Sequence, residues 1–376
     1  MIYELRHIDE PLLKFSAEIE SNDPRIKILW VSDKQNLLPL DLTLSHEGLF
    51  RWLKRRTLPS NRAFVRNLLS KCGLNLNRPF AIISVSKGLS LNDCYWIVEE
   101  GFSGTFDQYN LYDNPLSRIL ANIAFTGYGS NIRASLASSP EFTTNGMLPK
   151  CWRRINKKIY LYKGGTTGAL NTGMEPFSEF YAYQVAEAMH INAVPYEIHK
   201  WKNTLCSSCE LFTSKDYSFI PVGGLVKEGG FAAVQDYYKT LGEPYQKALG
   251  DMLVLDALIC NTDRHFGNFG FLVDNSKNQI AAPAPLFDHG NSLFNFAGRD
   301  DLESYDKFLR YANTLLPCVY DDFFKEAKRV LTKEHRDHLR GLLTFHFTKH
   351  STYNLPDTRL HFLEQQIQQR AKDLLT

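Results

Sequence analysis

The chain has 376 residues, with 43 basic and 41 acidic side chains and a formal charge of +2. That length calls for two domains or one two-lobed body, and so balanced a charge confines any nucleic-acid binding to a local patch. A composition of 44% hydrophobic and 13% aromatic residues excludes a disordered chain. No apolar run reaches the roughly 18 residues of a membrane span, and the charged start MIYELRHIDE excludes a secretory leader, so a cytoplasmic protein without a transmembrane segment is expected.

In chain order, 27–31 (KILWV) is a short apolar run, 45–56 reads as a helix capped by Ser45, and 60–72 reads as a second helix stopped by Gly73. The run PFAIISV at 79–85 reads as a strand, 92–100 as a helix closed by Gly101, and 114–124 as another helix after the turn Asp113-Asn114-Pro115. Residues 1–126 are therefore expected to form a mixed α/β accessory domain. A polar stretch from 127 (GYGSNIRASLASSPEFTTNG) marks a boundary. Strands at 159–163, 194–201 and 205–222 follow it, with one helix at 176–189 among them. Beyond 223 the chain reads as helical, at 243–261, 320–331, 333–349 and 357–374. This order predicts an α+β fold in which a small β-rich lobe, 127–222, lies over a larger helical lobe, 223–376, with a cleft between them.

The seven cysteines are scattered, which suits reduced thiols. Cys206 and Cys209 form the one CxxC, and without a second pair nearby a zinc ion would lack its tetrahedral ligand set.

Chemistry concentrates in NTDRHFGNFG (261–270) and APLFDHGNSLF (284–294). Asp263 and Asn268 stand five apart in a loop that follows an apolar helix, and Asp288 follows a hairpin turn at 274–278. Phosphoryl transfer needs one carboxylate to orient an acceptor hydroxyl, and an amide with a second carboxylate to hold Mg²⁺ against nucleotide phosphates. Protein kinases carry their catalytic Asp and Mg-binding Asn at this spacing, with a metal-binding Asp-Phe-Gly downstream. Taken singly, Asp263 and Asp288 read better as turn caps, Asn268 as a residue in the left-handed region and His265 as a hydrogen-bonded core histidine, but together these readings do not compete with a shared site. Arg264 and His265 read as supports of the loop, and Asp256, seven residues before Asp263, as a further support.

Asp-Arg-His-x-x-Asn followed by Phe-Asp-His-Gly resembles the HipA-like Ser/Thr kinases, toxin components of bacterial toxin–antitoxin modules, and more distantly the phosphatidylinositol 3/4-kinases. The resemblance covers the chain from about 138 onward. It implies a two-lobed, ATP-dependent protein kinase acting on a Ser or Thr hydroxyl, with Asp263 as catalytic base and Asn268 and Asp288 as Mg²⁺ ligands. An antitoxin-like protein partner is a further implication.

A kinase also asks for a strand lysine that neutralises phosphate and a helix glutamate that positions it. Lys163, followed by Gly164-Gly165, and Glu179 take these places, with Glu175 the second choice because it precedes Pro176. The phosphate loop is placed at 138–146 (SSPEFTTNG), where Ser138, Ser139, Thr143, Thr144 and Gly146 offer hydroxyls and one glycine but no G-x-G-x-x-G. By the resemblance, this loop is also where autophosphorylation would eject the loop and silence the enzyme. The adenine hinge is placed at 210–213, with Glu210 and Phe212, and His265 is grouped with the nucleotide-binding residues.

One feature competes with this reading. Arg51, Lys54, Arg55, Arg56, Arg62, Arg66 and Lys71 span two expected helices without an intervening acid, as in a DNA-reading helix pair or a docking face. The rival functions are thus a catalytically silent kinase fold that binds DNA or protein through 51–71, and a phosphoinositide kinase.

Overall fold

In the first strand, IYELRH, Tyr3, Leu5 and His7 share one buried face, while on the other Ile2 is exposed and Glu4 is buried against Arg6, with which it pairs. The structure, a computed structural model, describes residues 1–17, 25–129, 138–169 and 172–376; part of the polar boundary stretch, 130–137, lies outside the described residues. The chain divides into two compact units. Met1–Lys163, Glu210–Ile220 and Leu272–Ala281 form the first, and Gly164–Cys209, Pro221–Phe271 and Ala282–Thr376 the second.

In the first unit β1 (Ile2–His7), β2 (Glu10–Ser16), β3 (Lys27–Val31) and β4 (Tyr95–Glu99) pair in the order β3-β2-β1-β4. The pairing is antiparallel, with Leu5 opposite Leu13 on one side and Ile97 on the other. Against this sheet lie α1 (His46–Lys54) and α3 (Pro79–Ser86), whose Trp52 and Phe80 join Tyr3, Phe15 and Ile97 in one core. As expected, Ser45 caps α1 by accepting from Gly48 N at 3.0 Å. A second core gathers α2 (Val65–Lys71) and α5 (Arg118–Thr126) through Leu68, Leu69, Leu120 and Ile123, and the short α4 (Phe106–Tyr109) adds Phe106 to a third beside Trp96.

Three expectations are corrected here. PFAIISV is the helix α3, not a strand. Pro79 sits at its first turn, where a missing N–H costs nothing, and a run that is apolar on every side carries no period to tell helix from strand. Residues 92–100 are not a helix: Tyr95–Glu99 is β4, a β-branched and aromatic segment buried on both faces beside β1. The helix expected over 60–72 begins only at Val65, because Phe64 takes a left-handed backbone (φ +57°) and Arg62 turns inward.

The unit's next hairpin is β5 (Lys150–Ile155) with β6 (Lys158–Gly164), turned by Asn156-Lys157 at φ +50° and +69°. The chain then enters the second unit with α6 (Glu175–Ala188) and the hairpin β7 (Glu197–Trp201) and β8 (Thr204–Glu210). Cys206 and Cys209 fall three apart on β8, hence on opposite faces, and neither forms a disulfide. The first unit regains the chain for most of β9 (Tyr217–Pro221), and later for the hairpin of β10 (Gly270–Asp274) and β11 (Gln279–Pro283), in the order β11-β10-β9.

Between them the second unit adds α7 (Val222–Leu225), α8 (Gly230–Leu241) and α9 (Glu243–Ile259), and after β11 it adds α10 (Tyr305–Ala312), α11 (Phe323–Val330), α12 (Lys333–Gly341) and α13 (Asp357–Leu375). The final turns of α9 are buried all round, from Met252 to Ile259, with α6, α8, α11 and α13 packed on them. The helix ends where Cys260 takes φ +52°, releasing the chain into 261–270. Among the described residues, no helix is long and apolar enough to cross a membrane, and no group of three His, Cys, Asp or Glu side chains could hold a metal ion.

Candidate active site

The loop 261–270 is organised around a buried arginine. Arg264, at 0% exposure, donates to both carboxylate oxygens of Asp256 on α9, at 2.9 and 3.0 Å. It also donates to the carbonyls of Asn268 at 3.1 Å and Phe287 at 2.6 Å. One side chain thereby ties the helix, the loop and the residue before Asp288 together. Burial opposes the Arg264 charge, but Asp256 beside it holds the guanidinium above its ordinary value. Arg264 Nη2 also lies 3.0 Å from His289 Nδ1; because a guanidinium only donates, that nitrogen accepts and the imidazole proton sits on Nε2.

The frame holds the loop's polar groups in place. Asp263 N donates to Asn261 Oδ1 at 3.1 Å, and Asn291 Nδ2 donates to Asp263 Oδ2 at 2.9 Å. Asp263 Oδ1 receives no hydrogen bond from any described residue. Asn268 is nearly buried, and its Nδ2 donates to the Asp263 carbonyl at 3.1 Å. With the nitrogen so committed, Asn268 Oδ1 is left as an acceptor. Asp288 is half-buried with φ +57°, and its N–H donates to Tyr196 Oη at 3.0 Å. Burial, then the neighbouring Cys209, Glu179 and Asp288, holds the Tyr196 phenol well above its usual range, so it stays a neutral hydroxyl. His265 is exposed, and its Nδ1 accepts from Gly267 N at 3.0 Å, closing the turn.

Helix α6 is fastened to the same turn. Ser178 Oγ donates to the Ser292 carbonyl at 3.0 Å, and Ser292 Oγ donates to the His289 carbonyl at 2.7 Å. Beside Ser178, Glu179 is fully buried and accepts from Ser207 Oγ. Glu175 instead braces the backbone, since its two oxygens accept from Thr166 Oγ1 at 2.6 Å and Thr166 N at 3.1 Å and so fix the turn after Gly164-Gly165. A Cβ on Gly165 would lie 2.6 Å from Gly173 Cα, so this turn admits no side chain there.

The second unit thus brings together Asp263, His265, Asn268, Asp288 and Glu179, while Lys163, Ser138, Ser139, Thr143, Thr144, Gly146, Glu210 and Phe212 belong to the first. There Lys163 is a nearly buried residue of β6, and Glu210 makes a surface ion pair with Lys158 at 2.8 Å. Phe212 stands edge-on to Phe219. The loop 138–146 is held from within. Arg62 donates to the Glu141 carbonyl at 2.7 Å, the Thr144 carbonyl at 3.1 Å and the Lys150 carbonyl at 2.9 Å, and it pairs with the Glu141 carboxylate. Thr143 Oγ1 donates to the Leu89 carbonyl, and Thr144 Oγ1 accepts from Trp152 Nε1. Ser139 is 2% exposed, whereas Ser138 is half-buried. Gly146 has φ +92°.

Two of the seven cations of 51–71 are interior groups: Arg62, and Arg56, which grips Asp93 with two bonds and donates to the Gly88 and Tyr95 carbonyls. Sequence reasoning missed Asn291, Tyr196 and the Ser178–Ser292 link. The one signal for Asn291 was an amide placed directly after Asp288-His289-Gly290.

No family model matches the chain. A stretch of 134 residues is 31% identical to the serine/threonine-protein kinase CtkA of Helicobacter pylori, taking in 31% of this chain and 40% of that protein. The chain thus spans about two fifths of the length of that relative. HipA of Shewanella oneidensis, solved with HipB and operator DNA, shares the fold at a TM-score of 0.54 and 14% identity, over 98% of this chain and 96% of its own. The crystal structure of the H. pylori proinflammatory kinase CtkA aligns at a TM-score of 0.46 and 19% identity, over 60% of this chain and 91% of its own.

Proposed function

We propose that this chain, HipA-like in fold and over part of its length a sequence relative of a serine/threonine-protein kinase, transfers the γ-phosphate of Mg-ATP to a Ser or Thr hydroxyl of a protein. The observation that carries the reading is the Asp263 carboxylate. One of its oxygens is held by Asn291, the other receives no donor from the described residues, and the segments that bear Asn268 and Asp288 are stitched together by Arg264. In this reading Asp263 Oδ1 accepts the hydrogen bond of the acceptor hydroxyl and orients its oxygen for attack. Asn268 and Asp288 supply one amide and one carboxylate oxygen, a sparse hard-donor set that fits Mg²⁺, an ion that keeps most of its waters and takes phosphate oxygens as ligands. When bound, that ion neutralises charge on the phosphates. Lys163 is read as neutralising phosphate and Glu179 as orienting charge, as the resemblance implies.

The loop 138–146 is read as lying over phosphate and as the place of autophosphorylation. Ser139 and Thr143, being buried, leave their packing before they accept a phosphoryl group, and Ser138 accepts first. A protein partner of the kind seen with HipA belongs to the same reading, as does a cytoplasmic place of action. A DNA-reading role for 51–71 has less support, because Arg56 and Arg62 spend their hydrogen bonds inside the protein.

The test is transfer from γ-labelled ATP to casein and to the chain itself, with and without EDTA. Label that depends on magnesium and is lost in Asp263→Asn supports the reading. Equal label in both proteins overturns it.

A further inference from the structure

The carboxylate that the proposed function uses is oriented by amides. Asn291 Nδ2 donates to Asp263 Oδ2 at 2.9 Å, and Asn291 Oδ1 accepts from Asn295 Nδ2 at 3.2 Å. Each amide has one donor end and one acceptor end, so the two in series have a set polarity that ends on the carboxylate. The donated bond fixes the side-chain torsion of the carboxylate and leaves its other oxygen facing away from the amide. Asn291 is joined to the loop through its main chain as well, since its carbonyl accepts from Thr262 N at 3.1 Å and Thr262 Oγ1 at 3.2 Å.

The backbone beneath the relay is itself held. Leu293 and Phe294 are consecutive non-glycine residues in the left-handed region, at φ +51° and +54°, a conformation that persists only where the surroundings impose it. Arg359 of α13 imposes it. The side chain is nearly buried and donates to the carbonyls of Phe294 at 2.9 Å, Asn295 at 3.1 Å and Ala297 at 3.3 Å.

We propose that Asn291, set by Asn295 on the turn clamped by Arg359, is a positioning residue that holds Asp263 with Oδ1 presented to the acceptor hydroxyl; this rests on the kinase reading above. Asn291→Leu in the full chain is expected to lower kcat for casein about 10- to 100-fold, the scale of lost support behind a working group, with KM for ATP unchanged within about twofold. Asn291→Asp, isosteric but placing a second carboxylate against the first, is expected to be slower still, and Asn295→Leu to lose about threefold to tenfold. Added to Asp263→Ala, Asn291→Leu is expected to cost nothing more, because it acts through Asp263.

A kcat within about threefold of wild type, a loss confined to KM for ATP, or an undiminished loss in the Asp263→Ala background overturns the assignment. The relay also has a readout apart from activity. The Asn291 side-chain amide resonances are expected to be protected from exchange in the wild type and exposed in Asp263→Ala, and identical signals overturn the relay. This arm decides the relay if Asn291→Leu fails to fold. It also separates the two readings: a wild type that labels nothing overturns the kinase function, while the amide signal still decides the relay.

Discussion

Loops 261–270 and 138–146 are both short and polar, and each is pinned by a buried arginine paired with a buried acid, Arg264 with Asp256 and Arg62 with Glu141. They differ in what the pinning leaves over. In 261–270 the arginine grips main-chain carbonyls, while Asp263 Oδ1 and Asn268 Oδ1 remain acceptors without a donor among the described residues. In 138–146 the acid, Thr143 and Thr144 are all engaged, with Trp152 N on Glu141 at 2.8 Å and Trp152 Nε1 on Thr144, and what is left over is the Ser139 hydroxyl, buried without a partner among the described residues. A polar loop is equipped to bind by the groups its own structure leaves unspent, and composition does not reveal which these are.

Removing the pins breaks the comparison most severely. Arg264→Met leaves the buried Asp256 carboxyl without its counter-ion, to be carried as a lone charge or protonated, and is expected to cost about 3–5 kcal/mol in chemical denaturation. Amide exchange should quicken in 261–270 and 287–292 and stay unchanged in 138–146. Arg62→Met, by the same argument on Glu141, is expected to cost about 3–5 kcal/mol with the converse exchange pattern. If either substitution loosens both loops together, the two are not separately held.

A finer cut is Thr144→Val, which keeps shape but removes the acceptor for Trp152 and the donor to the Pro140 carbonyl; a loss of about 1 kcal/mol in denaturation midpoint analysis is expected. The smallest effect is a pH dependence in the first unit. Burial lowers the His7 pKa from 6.5, against the pull of Asp93, and its Nε2 is buried without a partner among the described residues. As pH falls through about 6.5 the unfolded chain takes up a proton that the folded chain refuses, so stability declines until the lower folded pKa is passed. His7→Gln should flatten this part of the stability profile, and an unaltered slope would contradict the burial argument.

What the sequence made legible follows the same division. That Asp263, Asn268 and Asp288 belong to neighbouring turns was legible because they sit in two short polar segments, which Arg264 joins through the Asn268 and Phe287 carbonyls. Asn291 was not, since its partner is 28 residues away and only the folded turn brings the amide to the carboxylate. Helix α9 announced itself through periodicity, the hairpin of β10 and β11 through its turn at 274–278, and α6 through helical composition. Residues 79–86 and 92–100 were misread because their central runs, FAIISV and CYWIV, carry almost no polar side chains and so lack the polar face that gives a period its meaning. Helices α8 and α10 went unassigned, although Phe308 and Ala312 stand four apart on the buried side of α10. That two of the seven cations of 51–71 are interior could not be read locally either, because Asp93 and Glu141 lie 37 and 79 residues beyond their arginines.

The most direct test of the central claim is intact-mass and peptide mass spectrometry of the full chain after incubation with Mg-ATP, beside Asp263→Asn and Asp288→Asn. The account predicts that the wild type alone gains phosphoryl groups, within 138–144, while both variants unfold cooperatively as the wild type does but stay unmodified. Phosphate on either variant at the wild-type level would contradict the roles given to those carboxylates.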